Sequence, residues 1–407
     1  MRLLFAAALA FVAVSPAAAM PLHQFYDLAL SPAGDRVAAV ESDEQPNSST
    51  RPPEHVVVRH ARSGAVVQTL PACAGCRYSG LSFAPDGRLL AIVKDKGTTR
   101  LLLAGKTLAR FEGIAQDPTF SPDGRTLAVL ATFNARKQSG ATQAGVRQVG
   151  EIGEANDEQR IATVPLSGGT LRAVTPPDRY VYEYDWMGDG RGFVMTSAPG
   201  NGDNNWWVAT LDRLDLPSGK LTRIAAPPMQ LDFPRVSPDG RTVAFIGGLM
   251  SDFGVVGGDV YTVPIAGGVP AKVDPNFKGS FTSLLWDSNG LAASALVGDR
   301  MAILTLDPQR GSSNALWDRQ VSISAGDARF ARSADGKTYA TVLQDFEHPP
   351  AIYAGAGTDP IFNAKREGLH QITHDIVDDR FLLSLKKVAV PLERTSNVLS
   401  HLLVGSE

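Results

Sequence analysis

Short apolar runs recur along the chain, each entered through the same small polar turn. The clearest is Phe120-Ser121-Pro122-Asp123-Gly124-Arg125, followed by the run Thr126 to Leu130. Pro122 presets φ for a tight turn, Asp123 can hydrogen-bond its local backbone, and Gly124 tolerates the positive φ that closes the loop. Between strand-forming residues, this pattern predicts a β-hairpin.

The phrase returns at Phe83 to Ile92 and at Val236 to Phe245, and in an early form at Leu30 to Ala38. Degenerate copies lie at Trp186 to Arg191, Trp286 to Gly290 and Phe330 to Lys337. The turn glycines therefore fall at 34, 87, 124, 190, 240, 290 and 336. Each copy precedes a second hairpin signal: His55 to Leu70, Leu101 to Phe111, Ile161 to Val174, Trp207 to Ile224, Val260 to Val273, Met301 to Trp317, and Ile352 to Thr373. Two hairpins in about 50 residues make one four-stranded unit that cannot bury both of its own faces. The expectation is an all-β chain, a seven-bladed β-propeller of four-stranded antiparallel blades over residues 20–374.

Three stretches break the period. Glu41 to Glu54 is polar and proline-rich, and Asn134 to Glu158 is a long polar insertion. That insertion is either a plain surface loop or one that leans over a propeller face and supplies binding groups. Residues 375–407 form a C-terminal tail whose Phe381, Leu382, Leu385, Val388 and Val390 would pack as a helix or strand.

The N-terminus changes the picture. Arg2, the apolar run Leu3 to Val14 and the small residues ending at Ala19 have the form of a signal peptide over residues 1–19. An uncleaved anchor is the competing reading. No other stretch is long and apolar enough to span a bilayer, so a periplasmic or secreted protein is expected. The net charge of −3, from 39 basic and 42 acidic residues well mixed, lacks the basic footprint of a nucleic-acid binder. In an exported protein Cys73 and Cys76 are expected to form a local, structural disulfide. Further zinc ligands are missing nearby, and so is the βα context of a redox motif.

Catalytic patterns are missing from the sequence. There is no G-x-S-x-G; the nearest stretch, Gly80-Leu81-Ser82-Phe83-Ala84, lacks the last glycine and makes Ser82 a strand residue. His370 and His374 sit at a predicted strand end, where they cannot share a helical face, so no metal site is assigned. No phosphate loop precedes a helix, and no cofactor is expected.

The candidate ligand-binding residues are polar and aromatic: Glu154, Asp157 and Glu158; Glu183 and Tyr184; Asp203, Asn204, Asn205 and Trp206. Carboxylates beside aromatic faces suit a cationic group such as a peptide's free amine. The alternative makes the tryptophans inter-blade core and the acids solvated loop residues.

The turn repeat behind a signal peptide resembles the N-terminal propeller of exported prolyl oligopeptidase-family peptidases, of the dipeptidyl-peptidase and acylaminoacyl-peptidase type. Gly153 to Ala162, Tyr182 to Trp186, Gly202 to Trp207 and Leu369 to His374 carry the more specific part of the likeness, which runs from Leu28 to Leu392. The repeat alone is shared with Tol-system propellers. The resemblance implies a substrate-gating, peptide-binding domain. Family members continue into an α/β-hydrolase domain with a Ser-Asp-His triad, whereas Thr395 to Glu407 does not continue that pattern. The expectation is a propeller that is not catalytic by itself and meets a peptide or protein partner. A Tol-like interaction scaffold and a truncated, non-functional fragment are the alternatives. Nothing in the sequence sets the oligomeric state.

Overall fold

The computed structural model describes residues 22–44, 52–73, 75–137, 158–200, 205–252, 255–323, 329–345, 348–356 and 370–371. The proposed signal peptide, the tail 375–407 and most of the insertion at 134–158 lie outside them.

The described chain is almost entirely antiparallel β. The first meander is β1 (Leu22–Leu30), β2 (Arg36–Glu44), β3 (His55–His60) and β4 (Val66–Leu70). A second runs through β5 (Cys76–Phe83), β6 (Leu89–Asp95), β7 (Thr98–Leu103) and β8 (Lys106–Phe120); β8 then opens a third, completed by β9 (Thr126–Phe133), β10 (Gln159–Pro165) and β11 (Arg172–Ala173). The fourth is β12 (Arg179–Trp186), β13 (Gly192–Pro199), β14 (Thr210–Asp215) and β15 (Leu221–Ala225). The fifth holds β16 (Gln230–Val236), β17 (Thr242–Asp252), β18 (Val255–Pro264) and β19 (Ala271–Lys272). The sixth holds β20 (Ser280–Asp287), β21 (Gly290–Val297), β22 (Arg300–Asp307) and β23 (Ser312–Arg319). In the last, β24 (Ser322–Ile323) and β25 (Ala331–Arg332) both pair with β26 (Thr338–Gln344), which continues to β27 (Ala351–Ala356) and β28 (His370–Gln371).

The first and fourth meanders are independent four-stranded sheets, but other hydrogen-bonded sheets are larger. The 15-residue β8 pairs with β7 through Glu112 and with β9 from Gly113 onward, fusing two meanders into a seven-stranded sheet. The single Gly258–Phe281 pair joins the fifth and sixth into an eight-stranded sheet. A second departure concerns Trp207. It does not open a strand; Trp206–Val208 form a short 3-10 turn, and the strand starts at Thr210.

The turn phrase folds as its chemistry demands. Ser121 Oγ donates to Asp123 at 2.6 Å and accepts the Thr126 N–H at 3.0 Å, while Gly124 takes φ 65°. Ser237 and Ser333 repeat the arrangement with Asp239 and Asp335.

Period-2 alternation then sends each central strand's residues to two different neighbours. In β2, Ala38 and Val40 pack on the second meander, while Val37 and Ala39 pack on Ala340, Val342, Ile352 and Ala354 of the last. Every apolar cluster lies between consecutive meanders in this way, and the final one joins last to first. The turns interlock as well: Ala334 donates its N–H to Pro32 O at 2.9 Å, and Arg36 reaches Gly87 O at 3.0 Å. Antiparallel order places these turns at one edge of the sheets. The second strands end and the third strands begin at the opposite edge, as at Glu44 and His55, Phe133 and Gln159, and Pro199 and Thr210.

Candidate functional site

The first strand of each of the first six meanders carries a bulge. Register slips occur at Phe25/Asp27, Ser79/Ser82, Gln116/Thr119, Val181/Glu183, Asp232/Arg235 and Phe281/Ser283. A bulge re-aims a side chain out of the ladder. Counted back seven residues from each turn glycine, the equivalent positions are Asp27, Gly80, Asp117, Glu183, Phe233, Ser283 and Arg329. Asp117 and Phe233 hold positive φ values of 48° and 50° there.

These positions bring acids and one arginine together. The Arg329 guanidinium lies 3.7 Å from Asp117 and 4.9 Å above the Phe233 ring, a cation–π seat that Arg235 also approaches at 5.3 Å. Its charge also acts on Asp27 and Asp232. Arg329 in the last meander is thus coupled to the first, third and fifth.

Most of the carboxylates are committed to backbone. Asp27 accepts the N–H of Leu28 at 2.8 Å and, across to the second meander, that of Leu81 at 2.9 Å. Asp185 does the same with Trp186 at 3.0 Å and Val236 at 2.8 Å. Burial nevertheless dominates. It raises Asp27 to about 6 against the pull of those N–H groups and Arg329, and it raises Asp185 against the pull of Arg235. Asp232 is pushed well above the ordinary carboxylate range, first by burial and then by the neighbouring charge of Glu183.

The sequence candidates divide. Glu183 joins this cluster through Phe233 N–H, which donates to its Oε2 at 2.5 Å. Tyr184, by contrast, is buried, and its hydroxyl donates to Asp117 O at 2.6 Å while accepting from Thr119 at 3.0 Å. It ties the third meander to the fourth. Glu158 caps the Asp178 N–H at 3.2 Å near the start of β10. Asn205 holds Pro199 O at 3.0 Å, and the following turn, with half-buried Trp206 and exposed Trp207, packs against β13 and β16. Glu154, Asp157, Asp203 and Asn204 lie outside the described residues.

Asp27, Asp117, Asp232, Arg235 and Arg329 are absent from the sequence-derived candidates. The constant offset from the turn glycine was the signal that could have found most of them. Cys73 and Cys76 are joined as a disulfide with Cα atoms 5.5 Å apart, in the link from β4 to β5. Among the described residues no group of three or more His, Cys, Asp or Glu is arranged to hold a metal, and no helix is long and apolar enough to cross a membrane.

No protein-family model matches the chain, and no curated protein matches it in sequence. Solved structures do match. An acylaminoacyl peptidase in complex with Z-Gly-Gly-Phe-chloromethyl ketone aligns at TM-score 0.59 and 10% identity, over 87% of this chain and 52% of that one. The β-propeller domain of the Trilobed protease from Pyrococcus furiosus, which has an open velcro topology, aligns at TM-score 0.59 and 10% identity over 87% and 97%. An oligogalacturonate lyase in complex with manganese aligns at TM-score 0.54 and 17% identity over 86% of both chains. The fold is therefore that of these propellers, and the chain spans about half the length of the acylaminoacyl peptidase. At such identities the likeness concerns fold, which unrelated chemistries share.

Proposed function

We propose that the chain is an exported, seven-bladed β-propeller that binds a peptide or an extended protein segment and has no peptidase chemistry of its own. The match to the propeller part of a peptidase, with 87% of this chain aligned, is the observation that carries this reading. The blade count rests on the turn phrases and on the apolar cluster that links the last meander to the first. The binding face in this reading is the edge that bears the long second-to-third strand connections, with Glu158, Asn205 and Trp206 among its residues and Glu154, Asp157, Asp203 and Asn204 as further contributors. Residues 1–19 are the cleaved leader, 20–374 the propeller and 375–407 a tail.

Purified protein incubated with chromogenic aminoacyl and dipeptidyl substrates is expected to give no turnover. Hydrolysis blocked by a serine-directed fluorophosphonate would overturn the non-catalytic half of the reading. Titration calorimetry with peptides from a casein digest tests the other half, and heat of binding is expected. No binding to those peptides, together with recovery of one defined protein from a periplasmic extract, would replace peptide binding with a scaffold role.

A further inference from the structure

Glu183 on β12 and Asp232 on β16 meet at the seam between the fourth and fifth meanders. Both aim an oxygen at one hydrogen: Phe233 N–H donates to Glu183 Oε2 at 2.5 Å and to Asp232 Oδ1 at 2.9 Å. Two carboxyl groups converging on a single N–H are close neighbours, and Asp232 is only 6% exposed. Like charges at that range, with little water between them, cannot both persist.

The surrounding charges relieve the pair only in part. Asp185, on the same strand as Glu183, is bound to the Trp186 and Val236 N–H groups and brings no positive charge to the pair. Arg235, on the strand of Asp232, turns its guanidinium toward Leu284 O and Pro234 O at 3.0 and 2.8 Å. Arg329 from the last meander divides its charge among Asp117, Asp27 and Asp232. One guanidinium thus faces several acids from different sheets.

We propose that Glu183 and Asp232 hold one proton between them, and that this shared proton keeps the seam between the fourth and fifth meanders closed. Loss of the proton leaves two carboxylates facing each other, and parting β12 from β16 lets water solvate both. The balance is simple: the closed seam binds one proton, and the open seam releases it to solvent. Opening therefore becomes easier as pH rises, by up to about tenfold per pH unit between the ordinary carboxylate range, where the opened groups titrate, and the point where the closed pair titrates, and it is level above that. This goes beyond ligand binding and gives the molecule a device that tightens in acid and loosens in alkali.

Amide hydrogen exchange of the whole chain, followed by mass spectrometry between pH 5 and 9, tests it. Peptides covering 179–186 and 230–236 are expected to lose protection as pH rises, by up to about tenfold per pH unit until the closed pair titrates and level beyond it, over and above the intrinsic rise in exchange. Asp232→Asn leaves a single charge and an amide that can donate to Glu183, so its protection factors are expected to be flat with pH. If that variant fails to fold by circular dichroism, Glu183→Gln makes the same test and the same flattening is expected. Asp27→Asn, at the seam of the first and second meanders, is expected to leave the slope in these peptides intact. Wild-type protection factors that do not vary with pH would overturn the proposal. So would a slope that survives in whichever carboxyl variants fold.

Discussion

Asp27 shows how a charge can be placed for structure and still respond to pH. Its two oxygens clamp the Leu28 and Leu81 N–H groups, yet burial raises it to about 6. The folded state therefore holds a proton that the unfolded state, with an ordinary pKa near 4, has already lost. By linkage, this residue's contribution to stability falls as pH rises from about 4 to about 6 and is level above that. Asp27→Asn should remove that dependence, and thermal melts at pH 4, 5 and 7 would show a smaller spread than wild type. Tyr184 makes a separate case. Tyr184→Phe strands the Asp117 carbonyl inside the molecule and should cost about 1 kcal/mol in urea denaturation. The sequence showed Glu183 and Tyr184 as one acidic-aromatic phrase. It could not show that adjacent strand residues face opposite sheets, so that one meets Asp232 and the other is consumed by the third meander.

At the scale of the elements, the strands and turns were legible because each repeat states them locally. Ser, Pro, Asp and Gly encode the turn, and apolar residues on both faces of β2 or β9 encode a strand covered on both sides. The bulges were not legible as bulges, since nothing local marks Tyr26 or Tyr182 as extra residues in a ladder. The continuity of β8 was also hidden. Glu112-Gly113 reads as a break, yet Gly113 adopts φ 142° and carries the strand from one meander into the next. An added Cβ there would lie 2.3 Å from Thr132 O. Gly113→Ala should therefore cost at least about 1 kcal/mol. Its exchange protection should fall in both β7 and β9, not in one of them.

For the whole molecule, the period of the turns implied a ring before any contact was known, and the contacts supply the way it is held. Among the described residues, the first and last meanders share no strand. Their junction is the packing of Phe25, Leu30, Val37 and Ala39 on Ala340, Val342, Ile352 and Ala354, with one turn-to-turn hydrogen bond beside it. Ile352 is fully buried there, and Ile352→Ala should cost about 2–5 kcal/mol. Exchange in that variant should quicken first in β1, β2, β26 and β27. A uniform change across all sheets would mean that the junction is no weaker than the rest.

The long β8 gives the molecule a grain. The second and third meanders cannot come apart without tearing a ladder, whereas the first and last part by sliding side chains off one another and breaking the Ala334–Pro32 hydrogen bond. Under a load applied at the chain ends, the closure would behave as a zip and β8 as a tie-rod. Single-molecule pulling should release the first and last meanders as small early steps, then the second and third together in one larger step.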